Sequence, residues 1–393
     1  PAARGPLDKG LIMLFIRTGR RRVTAIWTCA LLACCGLAHG EDGVTADTIL
    51  IGQSAVLTGP QSANVVNNNK ATQAYFDRVN AEGGIFGRKI KLISLDDELK
   101  GDKALANYKK LVEEDKVFAL FAGVGTPTMA AASPYLNQKQ VPLIGPYAVA
   151  DSVRAQSGKQ VYYLRAGYYD ESEKIIEHLT TIGLTRIGLV TLNNPGGKEV
   201  LGNVEKQLAA RKLKPQVVGL LEVNSSNLPA VSKALATAQP QTIIVFAGGG
   251  ASGDFIKRVL EDGYTGQLFC FSICSAAVIT KNIGERSRGI GFSQIVQFPW
   301  ESGNPVVREY QQLAKAANLT VDYAGMGGYL SGRFMVEALR RAGKNLTRDK
   351  FRAALESGPF DMGGVTYSFK PDNRYASTYV ELVMLSRDGK FLK

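Results

Sequence analysis

Residues 121–150 read FAGVGTPTMAAASPYLNQKQVPLIGPYAVA. The stretch states one motif twice: an apolar strand (Phe118 to Ala122, then Val141 to Ile144) that ends at glycine or proline and hands the chain to a loop. Gly123-Val124-Gly125-Thr126-Pro127-Thr128 leads directly into a helix of small residues, Met129 to Leu136. In a parallel α/β sheet, loops at the carboxyl ends of strands are where ligands sit, and a helix N-terminus there offers unpaired N–H groups to an anion.

The same rhythm runs outward in both directions. Strands are predicted at Thr48 to Gly52, Lys89 to Leu95 and Val161 to Leu164. Ala104, Tyr108, Leu111 and Val112 share one helical stripe, as do Ile175, Leu179 and Ile182. From Arg186 the series restarts, with strands at Ile187 to Leu192, Val217 to Val223, Thr242 to Phe246 and Leu268 to Phe271 between helices at Lys198 to Arg211, Leu228 to Ala238 and Asp254 to Gly263. Gly289 to Val296 reads as a returning strand, three helices follow, and Tyr379 to Leu385 with Arg387-Asp388-Gly389-Lys390 reads as a terminal hairpin. Strands alternating with helices predict parallel sheets built from right-handed crossovers, and two series predict two α/β lobes, doubly wound.

The chain has 393 residues, 45% of them apolar, which is enough for two cores. Its net charge of +12 is partly local: residues 1–40 hold six Lys/Arg against one acid, so 41 against 34 remain elsewhere. Those charges are interspersed on helix faces, which is a solvated surface and not a nucleic-acid footprint. Arg17 to Arg22, the apolar Val23 to Leu37 and Ala38-His39-Gly40 form a signal peptide over 1–40, with a second reading in which Leu31-Leu32-Ala33-Cys34 is a lipoprotein box and Cys34 is lipidated. Residues before Met13 read as lying ahead of the leader's start.

Beyond residue 40 only Cys270 and Cys274 remain; on one extended strand they stand about 13 Å apart, so a disulfide requires a turn between them. The simpler expectation is two buried thiols. His178 is the one histidine after the leader, which excludes a multi-histidine metal site and any Ser-His-Asp triad not built on it. Asp96-Asp97-Glu98 reads as a solvated strand end. Tyr162-Tyr163 and Tyr168-Tyr169 either line a pocket or cover a crossing between lobes. Gly248 to Gly253 satisfies G-x-G-x-x-G after a strand and before a helix, the context of a nucleotide-binding enzyme, but the next strand ends without an acid for a ribose.

Several stretches resemble one family. Ile51-Gly52 with Thr58-Gly59-Pro60, Val79-Asn80-Ala81-Glu82-Gly83-Gly84-Ile85-Phe86-Gly87-Arg88, Gly125-Thr126-Pro127-Thr128, Gly328-Tyr329, Glu337 to Gly343 and Arg387 to Phe391 are similar to the branched-chain amino-acid-binding periplasmic proteins, type I solute-binding subunits of ABC importers. The resemblance spans essentially all of the chain after the leader. It implies a non-enzymatic, cofactor-free receptor whose two lobes are joined by three crossing strands and close on a small molecule for a membrane permease. A ligand sensor of the same fold is the related alternative.

Carried over by position, the resemblance places lobe one at 41–165 and 298–375 and lobe two at 166–297 and 376–393. It implies that Thr126 and Thr128, with Tyr147, Ala148 and Val149, hold a ligand carboxylate. Asp170 and Ser272 face them from the second lobe. The departures are a missing hydroxyl at Tyr147-Ala148-Val149, Ser272 where the family pairs an ammonium with an acid, and Gly196 where an aromatic is common. With Asp170 as the only acid left for the task, the expected ligand is a carboxylate or other small polar metabolite without an ammonium.

Overall fold

The computed structural model describes residues 1–3, 5, 40–59, 61–387 and 389–393. Pro1–Gly40 and Glu41–Lys393 are separate compact units. The signal-peptide and Cys34 readings fall on residues outside the described set.

Within Glu41–Lys393, the first sheet has β1 (Thr48–Ala55), β2 (Lys89–Asp96), β3 (Ala119–Phe121), β4 (Leu143–Ile144) and β5 (Val161–Tyr162) in the order β2-β1-β3-β4-β5, all parallel. The second has β6 (Ile187–Leu192), β7 (Val217–Leu221), β8 (Thr242–Phe246), β9 (Gln267–Cys270) and β10 (Gly291–Gln294), joined by β13 (Glu381–Leu385) and β14 (Phe391–Leu392). Its order is β14-β13-β10-β9-β8-β6-β7, with β13 antiparallel to both of its neighbours, β10 and β14. The five parallel strands of each lobe repeat one topology. Its order reverses beside the first strand, and at such a switch point the strand ends leave a crevice. β6 and β8 are buried along their whole length, as expected of parallel strands covered by helices on both faces. A short hairpin, β11 (Phe360–Asp361) with β12 (Thr366–Tyr367), and the helices Asp151–Gln156 and Ala276–Ile283 lie where the sequence reading has no element. Among the described residues, no helix is long and apolar enough to cross a membrane.

The turn over Glu82 to Arg88 is held by Asn80, which accepts from Ile90 N–H at 2.7 Å and donates to Ile90 O at 2.8 Å, clamping the helix Ala63–Ala81 to the strand that follows it. That helix packs against Tyr323–Ala342 through a glycine contact. Thr72 Oγ1 donates to Gly328 O at 2.9 Å, and a Cβ at Gly328 would sit 1.9 Å from Asn68 O. Tyr75 meets Tyr329 edge-on at 5.2 Å, and Glu309 accepts from both Arg78 and Arg333 across the same seam. The first and third crossing segments pair directly: Tyr163 N donates to Arg374 O and Ala376 N to Tyr163 O, each at 2.8 Å.

Two local expectations are corrected. Ile182 is 54% exposed, because the helix Tyr168–Thr181 stops before it and the stripe of Ile175 and Leu179 ends there. Asp96-Asp97-Glu98 is a solvated end only at Glu98, which is exposed and pairs with Lys100 and Lys103. Asp97 is buried, accepting from Ser54 Oγ at 2.8 Å and Leu99 N at 2.9 Å, and burial raises its pKa. Asp96 takes Leu57 N at 2.9 Å and Thr58 Oγ1 at 2.5 Å. The carboxylates supply acceptors for a loop whose N–H groups have no strand partner.

Gly328→Ala is expected to lower stability by about 1–3 kcal/mol in urea denaturation, because the added methyl forces the two helices apart. Gly332→Ala, one turn away, places its Cβ at 3.4 Å from Tyr75, an ordinary contact, and is expected to be neutral or stabilising.

Candidate ligand-binding cleft

A cavity of about 500 Å³ lies at the carboxyl ends of both parallel sheets, between the lobes. Most of its wall is apolar, from Val56, Leu99, Val124, Leu192, Phe246 and Ile273 among others. Both loops of the 121–150 stretch reach it. Val124 and Tyr147 form an isolated parallel bridge that locks one loop to the other, with Gly125 N donating to Tyr147 O at 3.1 Å and Tyr147 N to Gly123 O at 3.0 Å.

Thr126 is the first residue of the helix Thr126–Lys139 and lines the cavity. Its Oγ1 accepts from Ala150 N–H at 3.0 Å, which leaves the hydroxyl proton to donate elsewhere. A Cβ at Gly196 would approach Thr126 Oγ1 to 3.4 Å, so the glycine in place of an aromatic is what brings the two walls close. Tyr147, Ala148 and Val149 also line the cavity, and Ala148 has a φ of 56° that turns the loop. Tyr147 Oη is buried without a hydrogen-bond partner among the described residues.

Two of the expected site residues are elsewhere. Thr128 is buried under its own helix and donates back to Val124 O and Gly125 O, so its hydroxyl is spent on the turn. Asp170 does not line the cavity. It is the third residue of the helix Tyr168–Thr181 and accepts from Gly167 N at 2.9 Å, serving as the helix cap. Burial raises its pKa.

Two acids line the cleft, Asp322 and the residue that follows Asp170. Glu171 is 1% exposed, lines the cavity, and accepts three hydrogen bonds: Ser272 N at 2.9 Å, Ser272 Oγ at 3.0 Å and Ser293 Oγ at 2.6 Å. Burial pushes its pKa up to about 7 against the pull of those donors. A carboxylate has roughly four acceptor positions, so one remains for a ligand. Ser272 is in the cleft as expected, but as the partner of Glu171. The helical stripe contained the signal: Glu171, Ile175 and Leu179 are four apart and share the buried face, whereas Asp170 is rotated about 100° away. The premise that Asp170 is the only acid left to meet a ligand ammonium is thereby removed.

Sequence reasoning also treated Arg165 only as a boundary. It is 9% exposed and lines the cavity; Nη2 donates to Gly327 O at 2.7 Å and Ser331 Oγ at 2.9 Å, and the guanidinium lies 4.8 Å from the centre of the Tyr147 ring. Burial lowers its pKa. Arg154 and Asp322 complete the charged lining, the first 3.7 Å from Asp151 and the second capping its helix at Gly325 N.

The tyrosine pairs divide by role. Tyr168 lines the cavity against Phe246, Tyr163 lies both at the cavity and at the crossing, and Tyr169 is 41% exposed. Gly248 and Gly249 line the cleft, Gly249 with φ 54°, while a Cβ at Gly253 would meet Val278 Cγ1 at 2.7 Å, so the third glycine serves helix packing. β9 ends at Cys270, and the residues that follow it, Phe271-Ser272-Ile273, include no acid. Cys270 and Cys274 are free and buried; Cys274 lines the cavity and its Sγ donates to Val245 O at 3.4 Å.

The fold recurs in solved proteins. A substrate-binding periplasmic protein from Ralstonia solanacearum superposes with a TM-score of 0.81 and 29% identity, covering 88% of this chain and 99% of its own. A branched-chain amino acid ABC transporter protein from Thermus thermophilus, solved with bound valine, superposes with a TM-score of 0.80 at 16% identity, covering 90% and 95%. The Leu/Ile/Val-binding protein homolog 7 of Brucella abortus (strain 2308) is 20% identical over 381 residues, 92% of this chain and 94% of its own. The sequence profile of the periplasmic binding protein family matches residues 48–390, and the chain belongs to that family of substrate-binding proteins.

Proposed function

We propose that the protein is the extracytoplasmic receptor of an ABC importer for a small carboxylate, with α-amino acids such as leucine, isoleucine and valine inside the class. The lobes, 41–165 with 298–375 and 166–297 with 376–393, close on the ligand about the three crossing segments and present the closed form to a membrane permease. One observation carries this reading: an apolar cavity with Thr126 and a helix N-terminus on one wall and Glu171 on the other. The helix start and the free Thr126 proton fit a carboxylate, and the open acceptor of Glu171 fits an ammonium or other donor. The names of the valine-bound and Leu/Ile/Val-binding relatives agree with that polarity. No residue of the cleft is arranged for bond-making chemistry in this reading, and an uptake assay in cells carrying the permease separates an importer subunit from a ligand sensor.

In a thermal-shift panel of amino acids, aromatic acids and short-chain carboxylates, at least one carboxylate in excess is expected to raise the melting temperature. Thr126→Ala is expected to weaken that carboxylate roughly tenfold, the worth of one charge-assisted hydrogen bond; an unchanged affinity would place the carboxylate elsewhere.

Glu171 predicts a pH dependence. Its folded pKa, about 7, stands above its ordinary 4.5, so its contribution is fully present below pH 4.5 and is lost as pH rises through 7. The loss amounts to ~3 kcal/mol. Urea denaturation of the unliganded protein at pH 5 and pH 8 is expected to show a decrease with pH that Glu171→Gln removes. A slope of equal size in the variant would assign it to another group.

A further inference from the structure

We propose that the cleft contains a second anion subsite built on Arg165, so that the natural ligand carries two anionic groups, as a dicarboxylate or an acidic amino acid does. The proposal rests on the carboxylate reading above and narrows it.

Arg165 is a buried cation whose contacts are all neutral: a backbone carbonyl, a serine hydroxyl and an aromatic face. No carboxylate among the described residues forms an ion pair with it. The other buried or half-buried arginines nearby differ, since Arg154 has Asp151 while Arg78 and Arg333 share Glu309. Guanidinium carries five N–H donors, and the two protein hydrogen bonds both come from Nη2. Nε and Nη1 have no acceptor among the described residues, and the residue lines the ligand cavity. A buried charge without a counter-charge is costly, and an apolar side chain of similar size would pack the same space at less cost.

The neighbouring helix is also shaped around this group. A Cβ at Gly327 would lie 2.9 Å from Arg165 Nη2, 3.0 Å from Cζ and 3.1 Å from Nη1, so a glycine is what admits the guanidinium beside Tyr323–Ala342. A cation that the fold accommodates but does not neutralise, at the wall of a ligand cavity, is completed by an anion from the ligand. Arg165 belongs to a different chain segment from Thr126 and reaches the cavity wall beside Tyr147, so the second anionic group has a partner of its own.

Isothermal titration calorimetry on the protein expressed as the full chain tests this with matched pairs: adipate against hexanoate, and L-glutamate against L-norvaline. At least one diacid is expected to bind about tenfold or more tighter than its monoacid partner. Arg165→Gln is expected to weaken the diacid roughly 30-fold and change the monoacid less than about twofold, with Arg165→Lys between wild type and the glutamine variant. Monoacids that bind as tightly as diacids, or a glutamine variant that weakens both equally, would overturn the proposal and leave Arg165 as a strut against Tyr147. If no acid of either kind binds, the carboxylate reading fails and the proposal with it. The melting temperature of each unliganded variant reports folding; should Arg165→Gln fail to fold, the wild-type diacid preference and the lysine variant decide.

Discussion

Arg154 lies between two tyrosine rings, 4.7 Å from the centre of Tyr163 and 4.9 Å from that of Tyr375, and donates from Nη2 to Arg165 O at 2.9 Å. Those rings belong to two distant segments that hydrogen-bond to each other, so one guanidinium joins both to the backbone of Arg165. The cleft depends on this junction. Parallel sheets open their crevices at the carboxyl ends of their strands, and a ligand site forms between two such sheets only where the chain holds those ends toward each other.

Given that frame, the polar chemistry of the cavity is set by a few unusual burials. Glu171 is buried but well supplied with donors, which leaves it poised near neutrality with one acceptor open. Arg165 is buried and supplied only with neutral partners. Both arrangements cost stability in the protein by itself, and in the proposed reading a ligand carrying the complementary groups offsets that cost. Apolar surface over the remaining wall excludes water and strengthens whatever polar contacts the ligand makes.

The succession of elements was legible in the sequence because it rests on local physics. Period-two and period-3.6 apolar patterns located the strands and helices, and the buried stripe Ala104, Tyr108, Leu111 and Val112 is the one the spacing required. Short, end-dependent features were less legible. Ile182 continued an apolar stripe past the point where the helix stops, and Asp97 looked like any exposed strand-end acid until Ser54 and the Leu99 amide claimed it. At the cavity wall, the family resemblance pointed to Thr126 and the Tyr147 to Val149 loop, which line it, whereas Thr128 and Asp170, which it also pointed to, are drawn into local capping and turn bonds.

What the sequence by itself determined was the alternation of strand and helix, the two-lobed α/β class, and the loops that reach the cleft, since each follows from neighbours within a few residues. The tertiary structure alone decided which charges stand at the cavity wall and what surrounds them. Glu171 accepts its hydrogen bonds from Ser272 and Ser293, 101 and 122 residues away, and Arg165 donates to Gly327 and Ser331, more than 160 residues away. A charge is defined by the donors, acceptors and counter-charges that surround it, and in a fold whose chain crosses between lobes three times those neighbours are assembled only after the sheets have come together.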